Sequence, residues 1–169
     1  NQFMDLAAEL LRVQNVSFWR LNPSETEMDC MEAHGQSKTA FRKEAKISAS
    51  QFPSMFSILK DRDCVQYPKG MQIGTGITGE PIEPGGSLLH YVENEEVKSL
   101  LIIPLEVEGK VMGAAWFEHR ELGDESGGGL WFDRGMFLID YDGVYELPSE
   151  VKDSLIRFGY IDPLEVEQW

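Results

Sequence analysis

Two pairs of neighbouring residues carry most of the chemistry that this sequence offers. His90 and Tyr91 lie next to each other in a short predicted helix, 87–96, and Glu118 and His119 end a predicted strand. A neutral imidazole suits an axial haem ligand or a hydrogen-bonding partner for a ligand. Alternatively, His90 is a partly exposed histidine on a helix surface, and Glu118 and His119 form a solvated strand end. The sequence leaves these interpretations open beside a role in ligand binding.

Aromatic and sulfur-bearing side chains form a second group of candidates. Five of them could line a flat apolar site, although such residues in strands and helices ordinarily belong to a core. They are Met55, Phe56, Met112, Trp116 and Phe117. Cys64 could be a redox sensor, but with few cations beside it in sequence a buried, inert thiol is the better interpretation.

Two short motifs match the sequence patterns of phosphate-binding sites but lack the helix or sheet that such sites need. Residues 74–79 spell G-x-G-x-x-G, yet the prolines that follow exclude the helix that a dinucleotide site needs. Asp140 and Asp142 resemble the Asp-x-Asp-Gly motif of haloacid-dehalogenase-type phosphatases, which would make them nucleophile and general acid. Only 26 residues follow Gly143, too few for that family's sheet. An Asp-Gly turn explains the string without catalysis.

A predicted hairpin must position the candidate residues of the second half. Residues 99–107 are an almost continuous apolar run, typical of a strand covered on both faces, and residues 110–119 follow a Glu108-Gly109 turn. Nearer the start of the sequence, the patterns predict a helix over 3–13 and strands over 16–21, 27–34 and 63–67. They also predict a helix over 51–60 that is capped by Ser48 or Ser50. Residues 68–86 are rich in Gly and Pro and predict a loop.

Composition excludes several classes of function. The net charge is −14, so no nucleic-acid or anionic-membrane partner is expected. The sequence contains neither an apolar run of transmembrane length nor a signal peptide. Two cysteines without C-x-x-C spacing predict neither a disulfide framework nor a zinc site. We therefore expect a cytoplasmic protein without a metal site.

The end of the chain differs from the rest in composition. Residues 123–129, GDESGGG, have linker character. From Glu121 onward there are 12 acidic and three basic residues, so most of the negative charge is local. We predict a hairpin within 136–147 and a helix from about Ser149 to Phe158. The predicted units are a domain over 1–122, a linker over 123–129 and an acidic hairpin–helix extension over 130–169.

Residues 3–122 resemble a GAF domain of the bacterial sensory type. The resemblance is carried by Ser99-Leu100-Leu101, Ile103-Pro104-Leu105, Gly109, Gly113, Phe117-Glu118-His119 and the Phe52-Pro53 helix start. It implies a central antiparallel sheet with helices on one side for packing or dimerisation. It also implies a ligand pocket on the other face, beneath residues 68–98.

Several features of known GAF subgroups are missing. Bilin-binding members carry a cysteine ahead of the Ser-Leu-Leu strand, and this chain has no cysteine after Cys64, so no covalent bilin is expected there. The Asn-Lys-x-x-x-Phe-Asp-Glu signature of cyclic-nucleotide-binding members and the cysteine trio of methionine-sulfoxide-reducing members are absent as well. The resemblance therefore leaves the ligand and cofactor unknown.

The resulting expectation is an α+β protein with a GAF/PAS-like sheet flanked by helices and a C-terminal hairpin and helix. It would be a non-enzymatic sensor that binds a small molecule and signals to a partner, an output domain or a second copy. The candidate ligand-binding residues are Phe56, Cys64, His90, Tyr91, Trp116 and Glu118. The main alternative is an interaction or dimerisation module whose pocket is filled by its own side chains. A haem sensor and a phosphatase-like site at Asp140 and Asp142 are the less favoured alternatives.

Overall fold

The computed structural model describes residues 15–35, 44–67, 74–75, 87–119, 131–132, 136–137 and 149–158. The strands are β1 (Asn15–Leu21), β2 (Glu27–Gly35), β3 (Lys46–Ser48), β4 (Val65–Tyr67), β5 (Gly74–Thr75), β6 (Ser99–Val107), β7 (Lys110–His119), β8 (Trp131–Phe132) and β9 (Met136–Phe137). The helices are α1 (Pro53–Lys60), α2 (Ser87–Asn94) and α3 (Ser149–Arg157).

Seven strands form one sheet in the order β3-β2-β1-β7-β6-β4-β5, and every pair is antiparallel. Strands β6 and β7 form the predicted hairpin with the predicted bounds. Glu108 and Gly109 both have positive φ, 53° and 79°, as the twist-compatible two-residue turn requires. The pairing of β1 with β7 then joins the two halves of the sheet.

Two β-bulges explain two exposed methionines. In β2 the partners of Phe18 and Trp19 are Glu32 and Cys30, so Met31 is an extra residue. In β7 Met112 is the extra residue, because Leu105 pairs with Gly113 and Glu106 pairs with Val111. Bulged residues leave the ladder and bend the strand. Met31 and Met112 are accordingly 39% and 44% exposed.

The helices cover opposite faces of the sheet. On one face, here named the α1–α2 face, Met55 and Phe56 of α1 and Leu88 and Val92 of α2 pack into a core that includes Trp116. Strand residues of this core include Trp19, Leu100, Ile102 and Ala114. On the other face, the α3 face, α3 packs against β6.

The contact of α3 with β6 is both apolar and polar. Val151 and Leu155 are buried, and the Ser154 hydroxyl donates a hydrogen bond of 2.8 Å to the Pro104 carbonyl oxygen. Proline has no N–H and its ring restricts it within sheets, yet its carbonyl remains an acceptor. The hydroxyl of α3 satisfies that acceptor from the α3 face.

The elements agree with the sequence prediction in most of the described residues. The start of α1 differs: its N-cap residue is Phe52, without a side-chain cap, and Pro53 opens the helix. Ser48 instead lies one turn earlier, where its hydroxyl accepts from the Gln51 N–H. Strand β3 was not predicted, because its three residues lie beside a polar segment that predicts no strand.

The C-terminal hairpin and helix are present, but the hairpin pairs β8 with β9, as Trp131 with Phe137 and Phe132 with Met136. The second strand predicted within 136–147 lies outside the described residues, as do the helix over 3–13, the linker over 123–129, and Asp140 and Asp142. The domain boundary stays a prediction.

We predict that Gly113→Ala destabilises the protein by about 3 kcal/mol or more, the upper end of the range for overpacking. A Cβ at this position would lie 1.9 Å from the Trp19 carbonyl oxygen, which is backbone and cannot turn away. Gly109→Ala is the matched control, because no atom lies within 4 Å of its Cβ and only the positive φ is unfavourable. That control should cost about 1 kcal/mol. Urea unfolding of both variants measures the difference, and equal costs would contradict the close approach of β1 to β7.

Candidate functional site

Four aromatic rings meet on the α1–α2 face. Trp116 lies at their centre, and its ring centroid is 5.5 Å from that of Tyr91, 6.5 Å from that of Phe52 and 6.2 Å from that of Trp19. Tyr91 and Phe52 contact Trp116 edge-on, which places the positive ring edge against the negative ring face. The strands, α2 and the residue before α1 therefore converge on one indole.

A buried carboxylate lies beside these rings. Glu118 is 1% exposed, and its Oε2 accepts hydrogen bonds from the Tyr91 hydroxyl at 2.9 Å and from the Trp116 indole N–H at 3.0 Å. Burial of a carboxylate is unfavourable unless donors surround it. Two neutral donors, one from α2 and one from β7, orient this carboxylate.

The period of two residues in a strand produces this arrangement. Trp116 and Glu118 are two positions apart in β7 and therefore project from the same face. Ser17 and Trp19 repeat the pattern in β1, where the Trp19 indole N–H donates to the Ser17 hydroxyl at 2.8 Å. Since Ser17 pairs with Trp116, both polar partners and both indoles share the α1–α2 face.

Three of the predicted site residues, Tyr91, Trp116 and Glu118, are in direct contact. Phe56 belongs to the same core on the inner side of α1. His90 is exposed and pairs through Nε2 with the Asn94 side chain one turn along α2, 2.8 Å away, so it does not join the cluster. Cys64 is fully buried just before β4. The structure thus brings half of the predicted set together.

Sequence reasoning missed Phe52 and Trp19, although signals for both exist. Phe52 directly precedes Pro53, and proline favours the first position of a helix, which places Phe52 at the start of α1. Trp19 and Leu21 lie two positions apart in β1 and share one face, whereas Arg20 projects from the other. Both residues contact Trp116.

Comparison of the sequence with protein-family models gives no match, and neither does comparison with curated proteins. Solved structures do match. The chain is similar to a phycocyanobilin-bound GAF domain from a cyanobacterial phytochrome, with a TM-score of 0.60, 13% identity, and coverage of 96% of this chain and 82% of the other. A phycoerythrobilin-bound GAF domain from a cyanobacterial phytochrome gives 0.60 and 14%, with 93% and 80% coverage.

A third similar structure is the GAF domain of a two-component sensor histidine kinase from Bacillus halodurans, with a TM-score of 0.50, 14% identity, and coverage of 99% and 90%. The fold of this chain is a GAF fold. At these identities the likeness establishes the fold, and the chemistry of the site has to be argued from the chain's own residues.

Two cavities are lined by the described residues of this GAF fold. One, of about 10 Å³, lies on the α1–α2 face beside Phe56 and Leu59 and holds at most one water molecule. The other is an open apolar groove of about 270 Å³ on the α3 face, between Leu105 of β6, Met112 of β7 and Val151 of α3.

Two further properties of the described residues bear on the site. None of their helices has both the length and the apolar character needed to cross a bilayer. Within the same residues, no group of three or more His, Cys, Asp or Glu side chains is arranged to hold a metal ion.

Burial suppresses the reactivity of Cys30. Cys30 lies in the core of the α1–α2 face, and its burial raises the pKa of the thiol from 9.0 to about 11, against a smaller opposite effect of a hydrogen bond from the Glu32 backbone. Because the thiolate is the reactive form, the thiol is inert near neutral pH.

We predict that Tyr91→Phe destabilises the protein by about 1.5 kcal/mol, the loss typical of a hydrogen bond to a charged group. In a Glu118→Gln background the same change should cost less, because the acceptor has lost its charge. Urea unfolding of the two single variants and the double variant gives the coupling. Tyr67→Phe, the same change on strand β4, is the control. Equal costs in both backgrounds would show that the hydroxyl does not stabilise the carboxylate.

We also predict a stability loss in the alkaline range that depends on Cys30. Between pH 9 and about 11 the unfolded chain releases the Cys30 proton while the folded protein retains it, because the folded pKa is raised. Stability is therefore present in full below pH 9 and falls as the pH rises through this window. Between pH 9 and about 11, the unfolding temperature should fall less for Cys30→Ala than for the parent chain. Parallel falls of the unfolding temperature with pH in the two chains would contradict this.

Proposed function

We propose that this chain is a cytoplasmic, non-enzymatic regulatory domain that binds a small molecule on the α1–α2 face and transmits the binding to a partner. The observation that supports the proposal is the buried Glu118 carboxylate, which two aromatic donors orient at the end of β7. A buried polar group among apolar rings is the arrangement by which ligand sites fix orientation.

The chemistry of the cluster favours a flat ligand with an N–H donor. The Trp116 and Tyr91 rings supply apolar faces and edges, and Glu118 supplies the acceptor. Such a donor would take the place of the Tyr91 hydroxyl on Glu118. Since Tyr91 lies on α2, this exchange would weaken one of the contacts that hold α2 against the sheet. The ligand then favours a second position of α2, which is a shift of population between two packings.

The alternative function is an interaction module whose pocket is filled by its own side chains. Trp116 and the three rings around it favour this alternative, because they occupy the centre of the α1–α2 face. The apolar groove on the α3 face adds a second observation, since Val107 and Met112 on its rim are 48% and 44% exposed.

Native mass spectrometry of the purified chain, with biliverdin as the added probe, separates the two functions. We expect the ligand-binding chain to carry a small-molecule adduct in a one-to-one ratio, and Glu118→Ala to lose it while Tyr67→Phe retains it. Biliverdin is flat and carries pyrrole N–H groups, so its binding to the parent chain and not to Glu118→Ala supports the site. The interaction module is supported instead if the chain binds no small molecule, with or without added biliverdin, and if its mass doubles as its concentration rises.

A further inference from the structure

Helix α1 connects the aromatic cluster with a group of charged residues near the end of β6. Phe52, immediately before α1, contacts Trp116 and Tyr91 edge-on. Eight residues later, about 12 Å along a helix axis, α1 ends at Lys60 and is followed by Arg62. A short rigid element therefore has one end in the candidate site and the other end elsewhere.

Arg62, two positions after the end of α1, has a positive φ angle. The Arg62 N–H donates to the Leu59 carbonyl oxygen at 3.0 Å, and the Asp63 N–H donates to that of Ile58 at 3.1 Å, which is the Schellman arrangement. The residue at this position must have positive φ, and Arg62 has φ 62° where glycine is the usual occupant. Backbone strain of this kind clusters at functional positions, which directs attention to the contacts of the Arg62 side chain.

The Arg62 guanidinium binds Glu106, and so does a residue of α3. Arg62 Nε contacts one carboxylate oxygen of Glu106, and Arg157 Nη1 contacts the other. Glu106 lies near the end of β6, and its side chain is only 14% exposed. Arg62 arrives from the α1–α2 face and Arg157 from α3 on the opposite face. One carboxylate therefore joins helices from both faces of the sheet.

The position of Arg157 makes this link relevant to α3 as a whole. Arg157 lies in the last turn of α3, where a cation interacts favourably with the helix dipole. One turn earlier, Ser154 and Leu155 hold the helix on β6. The contact with Glu106 thus fixes the C-terminal end of α3.

We propose that Glu106 is a relay between α1 and α3, so that a displacement of α1 at the site changes how firmly α3 is held. With Arg62 in place, each Glu106 oxygen has its own guanidinium partner and the carboxylate keeps one orientation. Without Arg62, the carboxylate turns more freely and its contact with Arg157 weakens. This inference rests on the proposed regulatory function, in which a ligand displaces α2, because the Tyr91 ring of α2 contacts Phe52 at the start of α1.

Hydrogen exchange of the α3 backbone amides in the full chain tests the relay without any ligand. Arg62→Met should speed exchange at residues 154–158 about threefold, the effect of losing a modest ion pair, although Arg62 does not lie on α3. Methionine is as unfavourable as arginine at positive φ, so the backbone contribution is unchanged. Lys60→Met is the matched control, because it removes the Lys60–Glu25 ion pair from the same helix end.

The double variant decides between a relay and general loosening. If Glu106 couples the two arginines, Arg62→Met/Arg157→Met exchanges no faster at α3 than Arg157→Met alone. Additive effects, an unchanged α3 in Arg62→Met, or the same acceleration in Lys60→Met would each overturn the relay. Urea unfolding of each variant confirms that the chain is folded. Because no ligand is used, a failure of the relay is distinct from a failure of ligand binding.

Discussion

The sheet depends on the close approach of β1 to β7, which join its two halves. On one side of this pair lie β2 and β3, and on the other lie β6, β4 and β5. At Gly113 the β1 backbone comes so near that a methyl group would overlap the Trp19 carbonyl oxygen. A glycine inside a strand normally weakens it, so this one is retained for the approach that it permits. The bulge at Met112, directly beside it, bends β7 at the same point.

The site follows from that pairing, because the register of β1 and β7 decides which side chains face each other. Ser17 pairs with Trp116 and Asn15 pairs with Glu118, so a shift by one residue would place the indole and the carboxylate on the opposite face. In the observed register, each indole N–H has an acceptor two residues away on its own strand. The cost of burying these indole N–H groups is thus met locally, and Tyr91 adds a donor from a helix.

How much of this could be predicted depends on the sequence separation of the partners. The β6–β7 hairpin was predictable to the residue, because Glu108-Gly109 marks the turn and an almost continuous apolar run leads into it. The Trp116–Glu118 contact is equally local. The links to Phe52 and Tyr91 are not, since they require the positions of two helices relative to the sheet. The Arg62–Glu106–Arg157 group is further still from prediction, because its members are 44 and 51 residues apart and no local pattern marks them.

The helices of the α1–α2 face are the parts of the fold that a ligand can move at least cost. Each has eight residues, well below the length at which a helix is stable by itself in water. Each therefore depends on its packing and on its termini, and both end in a Schellman arrangement with a charged residue, Arg62 or Glu96, at positive φ. The sheet, by contrast, is held by long antiparallel ladders along β1, β7 and β6. Displacement of a helix, rather than distortion of the strands, is therefore the response to a change at Glu118 that the proposed regulatory function requires.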